Sequence, residues 1–142
     1  MADNLTPEQR SYAMSRMRST DTSPELAIRR LVSARGLRYR KHPRSVAGRP
    51  DLAFLGAKVA VFVDGDFFHG WRFPAWKHKL PPYWRAKIER NRQRDLCNFR
   101  RLRRGGWRVL RIWQHEIKAD AHRCVDRIER AVRERLADRG GA

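Results

Sequence analysis

Two acids occupy helix positions where the surrounding pattern calls for apolar side chains. Glu25, Ile28 and Val32 fall at i, i+3 and i+7, so Glu25 shares the inward face of the helix that Ser23-Pro24-Glu25 opens. Asp95, Phe99 and Leu102 have the related spacing i, i+4, i+7, with Ile88 one heptad upstream, and Asp95 also points inward. A buried carboxylate is costly unless it is paired or bound to a metal. With 33 Lys and Arg in 142 residues, an arginine partner would account for either acid taken alone. Asp51 and Asp64 enlarge the set. Asp51 follows Gly48-Arg49-Pro50 and starts one strand; Asp64 ends the next, followed by Gly65, Asp66 and then His69. Taken singly, Asp64-Gly65 reads as a turn dipeptide and Asp51 as a strand cap. Acids and a histidine gathered at two strand ends repel one another without a cation, and oxygen ligands suit magnesium. Together with Glu25 and Asp95 they outline a divalent-cation site.

The elements that must carry these residues can be read along the chain. Thr6-Pro7-Glu8-Gln9 has the cap, proline and glutamine of a helix start, and a first helix is expected over about 7–19. Leu26, Ile28, Leu31 and Val32 give the second helix its stripe, and Gly36 ends it. Leu37 to Lys41 reads as a short edge strand, and Pro43 to Pro50 as a loop. Asp51–Leu55 and Lys58–Val63 are two strands joined at Gly56. Phe67 to Pro82 reads as a long aromatic loop, a class that is often functional. A long helix over Pro82–Arg104, a third central strand over Trp107–Trp113 and a last helix from about Asp120 to Asp138 complete the order. That order predicts an α/β fold: a mixed central sheet flanked by helices on both faces. One domain over 1–142 is expected, with its core at about 22–138.

Composition bounds the partners. Lys and Arg outnumber Asp and Glu by 33 to 15, a formal net charge of +18, which points first to nucleic acid and second to an anionic membrane surface. No apolar run reaches membrane-spanning length, and the first residues lack a secretory layout, so a cytoplasmic, nucleoid-associated protein is expected. Cys97 and Cys124 lie far apart and are expected to be buried thiols. Nothing suggests a coiled coil or an apolar dimer stripe, and a monomer is expected.

The strings GRPDLAF, VAVFVDGDFFHGW, YWRAKIERNRQRD and GWRVLRIWQHEI, with STDTSPELAIRRLV upstream, closely resemble the very short patch repair (Vsr) endonucleases of the PD-(D/E)xK nuclease superfamily. The resemblance runs from about Ser11 to Ile117. It implies a restriction-endonuclease-like core and a magnesium-dependent enzyme that nicks one strand of duplex DNA beside a mismatch, T:G in the family, in DNA repair. The implied magnesium ligands are Asp51 and the backbone carbonyl of Val63, with Asp64 a further candidate where the family has histidine. His69 matches the family histidine that orients or deprotonates the attacking water, Asp95 an acid that supports the hydrated metal, and Glu25 an acid beside the site.

Phe67, Phe68 and Trp84 match aromatics that wedge into the base stack, with Phe68 where tryptophan is usual, and Met14 matches a residue entering from the other groove. The Gly, Pro and charged residues around the loop predict that these aromatics are exposed. Lys77, Lys79, Arg85 and Lys87, with Arg90, Arg92 and Arg94, are the expected phosphate contacts. Family members often carry a structural zinc; the matching positions here are Asp66, Trp71, Phe73 and His115, so no zinc is expected, and Trp71, Phe73 and Trp76 should fill the space. A nickase directed at other damage or structures, and a basic DNA-binding module that does not cut and recruits repair proteins, remain as alternatives.

Overall fold

The computed structural model describes residues 22–140, with side chains through 138. The first helix expected over about 7–19, and Met14 on it, lie outside the described residues. Thr22 caps α1 (Ser23–Ala34): its hydroxyl accepts the Glu25 N–H at 3.4 Å, and Pro24 stands in the first turn. Gly36, at φ +74°, turns the chain out of the helix toward β1 (Arg40–Lys41). The strands β2 (Leu52–Phe54) and β3 (Val59–Asp64) follow. The segment expected to be a loop contains a short helix α2 (Phe73–Trp76) and a turn of 3-10 helix at Lys77–Lys79. Then come α3 (Pro82–Arg104), β4 (Arg108–Trp113) and α4 (Gln114–Gly140).

The sheet order is β1-β2-β3-β4. β1 and β2 pair antiparallel (Arg40↔Ala53), as do β2 and β3 (Leu52↔Val61), while β3 and β4 run parallel (Phe62↔Arg111, Asp64↔Trp113). The mixed α/β sheet expected from the element order is therefore present. One position needs correction: β4, expected to be central, pairs with β3 alone among the described residues and forms an edge.

Alternation assigns the two faces. Leu52, Phe54, Val59, Val61 and Ile112 pack with Ile28 and Val32 of α1 and with Val125, Ile128 and Val132 of α4. Ala60, Phe62 and Val109 meet Phe99 and Leu102 of α3 on the other face. Most of the sheet is thus covered on both sides, and the β3–β4 pair between α3 and the α1/α4 layer is a rigid platform. α4 is interrupted at Asp120 (φ −164°, ψ 92°), whose side chain accepts the Arg123 N–H and caps the second segment. The helix expected from Asp120 is that second segment. Cys124 is buried as expected; Cys97 is exposed, because it falls on the solvent side of α3 between the inward Asp95 and Phe99. Among the described residues no helix is long and apolar enough to cross a membrane.

Candidate active site

The strand registers bring the acids together. With Leu52 opposite Val61, Asp51 at the start of β2 lies beside the end of β3, where its carboxylate accepts the Val63 N–H at 2.5 Å. Asp64, the last residue of β3, is on the α3 face of the sheet with Phe62, and Asp95 meets it from α3. His42, Asp51, Val63, Asp64, His69, Arg94, Asp95 and Asn98 are among the residues lining one cleft of about 490 Å³.

Two groups of potential ligands adjoin there, and all their members but Glu25 line the cleft. Glu25, His42 and Asp51 form the first, their ligand atoms within 4.8 Å of one another. His42 Nε2 is 3.1 Å from Glu25 and 3.3 Å from Asp51, and Arg29 is 3.2 Å from Glu25. Asp64, His69 and Asp95 form the second. His69 Nδ1 is 2.6 Å from Asp95 and its Nε2 is 3.5 Å from Asp64. Arg111 bridges the two acids, with Nε 2.7 Å from Asp64 and Nη2 2.8 Å from Asp95.

Burial dominates the electrostatics. It pushes the Asp51 carboxyl up to about 9, aided by the side-chain hydrogen bond with Glu25 and by the charges of Glu25 and Asp64; the Val63 N–H opposes the rise. Asp64 is also raised by burial, against the pull of His69 and Arg111. For His69, burial works downward, but the hydrogen bond to Asp95 and the charges of Asp64 and Asp95 outweigh it and hold the imidazole above its ordinary range. A carboxylate oxygen only accepts, so the 2.6 Å contact of Nδ1 with Asp95 favours the ring proton on Nδ1 and leaves Nε2 as the basic nitrogen when the ring is neutral.

Arginine pairing is therefore present, but it does not dispose of every acid. Glu25 has Arg29, and Asp64 and Asp95 share Arg111. Among the described residues no Lys or Arg lies within ion-pair reach of Asp51. A buried carboxyl beside a second acid, facing a cleft, is the donor chemistry that a hard divalent cation fits.

The expected residues Glu25, Asp51, Asp64, His69 and Asp95 all converge, with the Val63 backbone beside them. His42 and Arg111 were not foreseen. His42 is a histidine in a loop, with no pattern to mark it. Arg111 had a readable signal: it is the one cation in the alternating set Trp107, Val109, Arg111, Trp113.

The wedge expectation is corrected in part. Trp84 is 2 % exposed rather than standing free, because it opens α3 and packs beneath Phe67, Phe68 and Tyr83. Phe67 and Phe68 are half-buried, meeting edge-on at 5.5 Å. Lys77, Lys79, Arg85, Arg90 and Arg94 are exposed, Arg92 is half-buried, and Lys87 lies over the Trp84 ring at 5.2 Å. The small aromatic cluster expected of Trp71, Phe73 and Trp76 is present. Phe73 meets Trp76 edge-on at 5.2 Å, and the Trp76 indole N–H donates to the Trp71 carbonyl. Asp66 pairs with His115 at 2.8 Å, and Trp71 packs on the His115 ring at 4.2 Å.

Known proteins resemble the chain over most of its length. The family profile described as DNA mismatch endonuclease Vsr matches residues 2–74. The chain is 43% identical over 136 residues to the type II nicking enzyme V.NmeDIP of Neisseria meningitidis serogroup C, covering 94% of this chain and 92% of that protein. It is 37% identical over 137 residues to the type II nicking enzyme V.HpaIIP of Haemophilus parainfluenzae, covering 94% and 97%. With the DNA mismatch endonuclease Vsr of Escherichia coli K12 it shares 32% identity over 118 residues, 80% of this chain and 74% of that one.

Proposed function

The chain belongs to the family of Vsr DNA mismatch endonucleases, a DNA endonuclease with a restriction-endonuclease-like fold, and from that premise we propose that it is a magnesium-dependent nickase that cuts one strand of duplex DNA at or beside a base mismatch. The observation that carries this reading is the gathering of Asp51, Asp64, His69 and Asp95 on one cleft, with Glu25 beside Asp51, around an Asp51 carboxyl that has no Lys or Arg within ion-pair reach among the described residues. One domain carries both the chemistry and the DNA contacts, acting as a monomer on chromosomal DNA in the cytoplasm.

Asp51 and the Val63 carbonyl would hold Mg²⁺, with Asp64 a further candidate and Glu25 beside them. When bound, the ion supplies positive charge against the scissile phosphate and makes a nearby water more acidic. In its neutral form, with Nδ1 on Asp95, His69 presents Nε2 to take the proton of the attacking water. Asp95, 2.6 Å from Nδ1, fixes that tautomer and stabilises the imidazolium that forms. Lys77, Lys79, Arg85 and Lys87 take phosphates along α3 and the loop before it, setting register without reading sequence.

Mismatch preference comes from the aromatic loop. Phe67 and Phe68 form the wedge and Trp84 is the floor that braces them. Unstacking costs least at a mismatched step, so a wedge of this kind selects mismatches energetically. T:G is the family target and is proposed here. The buried Trp84 favours a second reading, a nickase with another mismatch or damage preference.

Strand-labelled duplexes carrying each mismatch, with a fully paired control, separate the two. The expected result is a single-strand cut favouring T:G, absent without Mg²⁺ and in Asp51→Ala. A cut that favours another mismatch supports the second reading. Tight binding with no metal-dependent cut of any duplex overturns both.

A further inference from the structure

Arg111 lies in the middle of β4, directly opposite Phe62 in the parallel register. It shares the α3 face of the sheet with Val109, where an apolar residue would be the default. Its guanidinium is held in place from two sides, 4.2 Å over the Trp113 ring and 5.2 Å over that of Phe99. So fixed, it reaches two acids from different elements: Nε to Asp64 Oδ2 at the end of β3, and Nη2 to Asp95 Oδ2 on α3. The same Asp95 oxygen meets His69 Nδ1, and His69 Nε2 faces Asp64 Oδ1. The four residues thus close a ring, Arg111–Asp95–His69–Asp64, in which His69 is the only member lacking direct contact with the arginine. Asp64 stands where the resembled family has histidine. The acid adds a buried negative charge beside Asp95, and a cation is needed to let the two coexist.

We infer that Arg111 is the positioning residue of the active site: its planar fork clamps Asp64 and Asp95 and thereby holds His69 in the orientation that keeps Nδ1 on Asp95 and turns Nε2 toward Asp64 in the cleft. An ammonium cannot replace it, since a point charge on a flexible stem does not present two fixed, diverging N–H donors. The inference rests on the reading of His69 as the proton acceptor.

The test uses the full chain in four forms besides the parent: Arg111→Met, Arg111→Lys, Arg111→Ala, and the charge-balanced double variant Asp64→Asn/Arg111→Met. Two readouts are independent of each other. The ¹⁵N signals of the His69 ring report its tautomer without any reaction. Single-turnover nicking, measured beside the DNA Kd, reports the chemistry. In the parent, at a pH high enough to leave the ring neutral, His69 is expected to show the Nδ1-protonated form. In Arg111→Met the ring signals should average between tautomers and the nicking rate should fall about 10- to 100-fold with DNA Kd unchanged. Arg111→Lys should restore neither, and added guanidinium should restore part of the rate of Arg111→Ala in a saturable way. The double variant should recover the parental melting temperature, which separates the charge imbalance left by Arg111→Met from the loss of positioning.

Parental nicking in Arg111→Met or in the double variant overturns the inference. So does a loss of rate, Kd and melting temperature together that guanidinium leaves untouched. If the parent itself fails to nick, the proposed function fails, while the His69 signals of parent and Arg111→Met still decide whether Arg111 sets the ring.

Discussion

Asp51 concentrates the energetics of the site in one group. Its carboxyl keeps its proton in the folded, metal-free chain up to about 9, against an ordinary value of 3.8. Between those values the folded state binds a proton that the unfolded state has released, so Asp51 costs stability as pH rises through that window and costs nothing further above it. Divalent binding requires the carboxylate, so metal affinity should rise with pH over the same range and return the lost stability. Asp51→Asn should therefore melt a few degrees higher than the parent at pH 8 without metal and show no further rise when Mg²⁺ is added. A parent-like metal response in that variant, read by a thermal melt, would contradict it. His69→Ala and Asp95→Asn should lower the nicking rate far more than DNA affinity; equal loss of both would make them structural. The acids of this site were legible because each breaks a pattern: Glu25 and Asp95 sit on apolar helix stripes, and Asp51 and Asp64 mark strand ends. His42 was not, since a histidine before a proline in a loop carries no periodic signal. Its place between Glu25 and Asp51 follows from tertiary packing alone.

At the scale of elements, the loop after β3 has to present Phe67, Phe68 and His69 from one short stretch while turning back toward α3. Gly70 makes that turn at φ +70°, so close to α3 that a Cβ there would meet Arg92 Cδ at 2.6 Å and Ile88 Cγ2 at 2.9 Å. Gly70→Ala should cost about 1–3 kcal/mol in stability from crowding, with the positive φ adding strain. It should also slow nicking by loosening His69, checked by melting and single-turnover rate together; a parental melt would mean the loop gives way freely. The helices α1 and α3 could be bounded from sequence because caps, prolines and glycines mark their ends. Two features could not. The break at Asp120 within α4 depends on a side-chain cap that competes with helix continuation. The edge placement of β4 depends on which strand it pairs with, and its apolar pattern says only that both of its faces are covered. Trp84 was misjudged for a related reason: the glycines and prolines near it signal an exposed loop, yet it starts a helix whose first turn packs under that loop.

The molecule as a whole is a cation around an acidic cleft. Its formal net charge of +18 means DNA binding should be driven by counterion release. If roughly six to ten phosphates are contacted, affinity should fall about 10³- to 10⁵-fold between roughly 50 and 200 mM salt. A flat salt profile would remove the basic surface from the binding mode. Charge composition made the polyanionic partner readable at once, but could not separate a binder from a cutter. That distinction rests on carboxylates gathering inside a basic protein, against the sign of everything around them. The most direct measurement is a Mg²⁺ titration of single-strand cleavage on a preformed complex with T:G duplex, comparing the parent with Asp51→Asn at matched DNA occupancy. The parent should nick with a saturable dependence on Mg²⁺, and Asp51→Asn should bind as tightly and stay uncut at every concentration. Equal cleavage by the two, or cleavage by the parent that ignores Mg²⁺, would contradict a metal site built on Asp51.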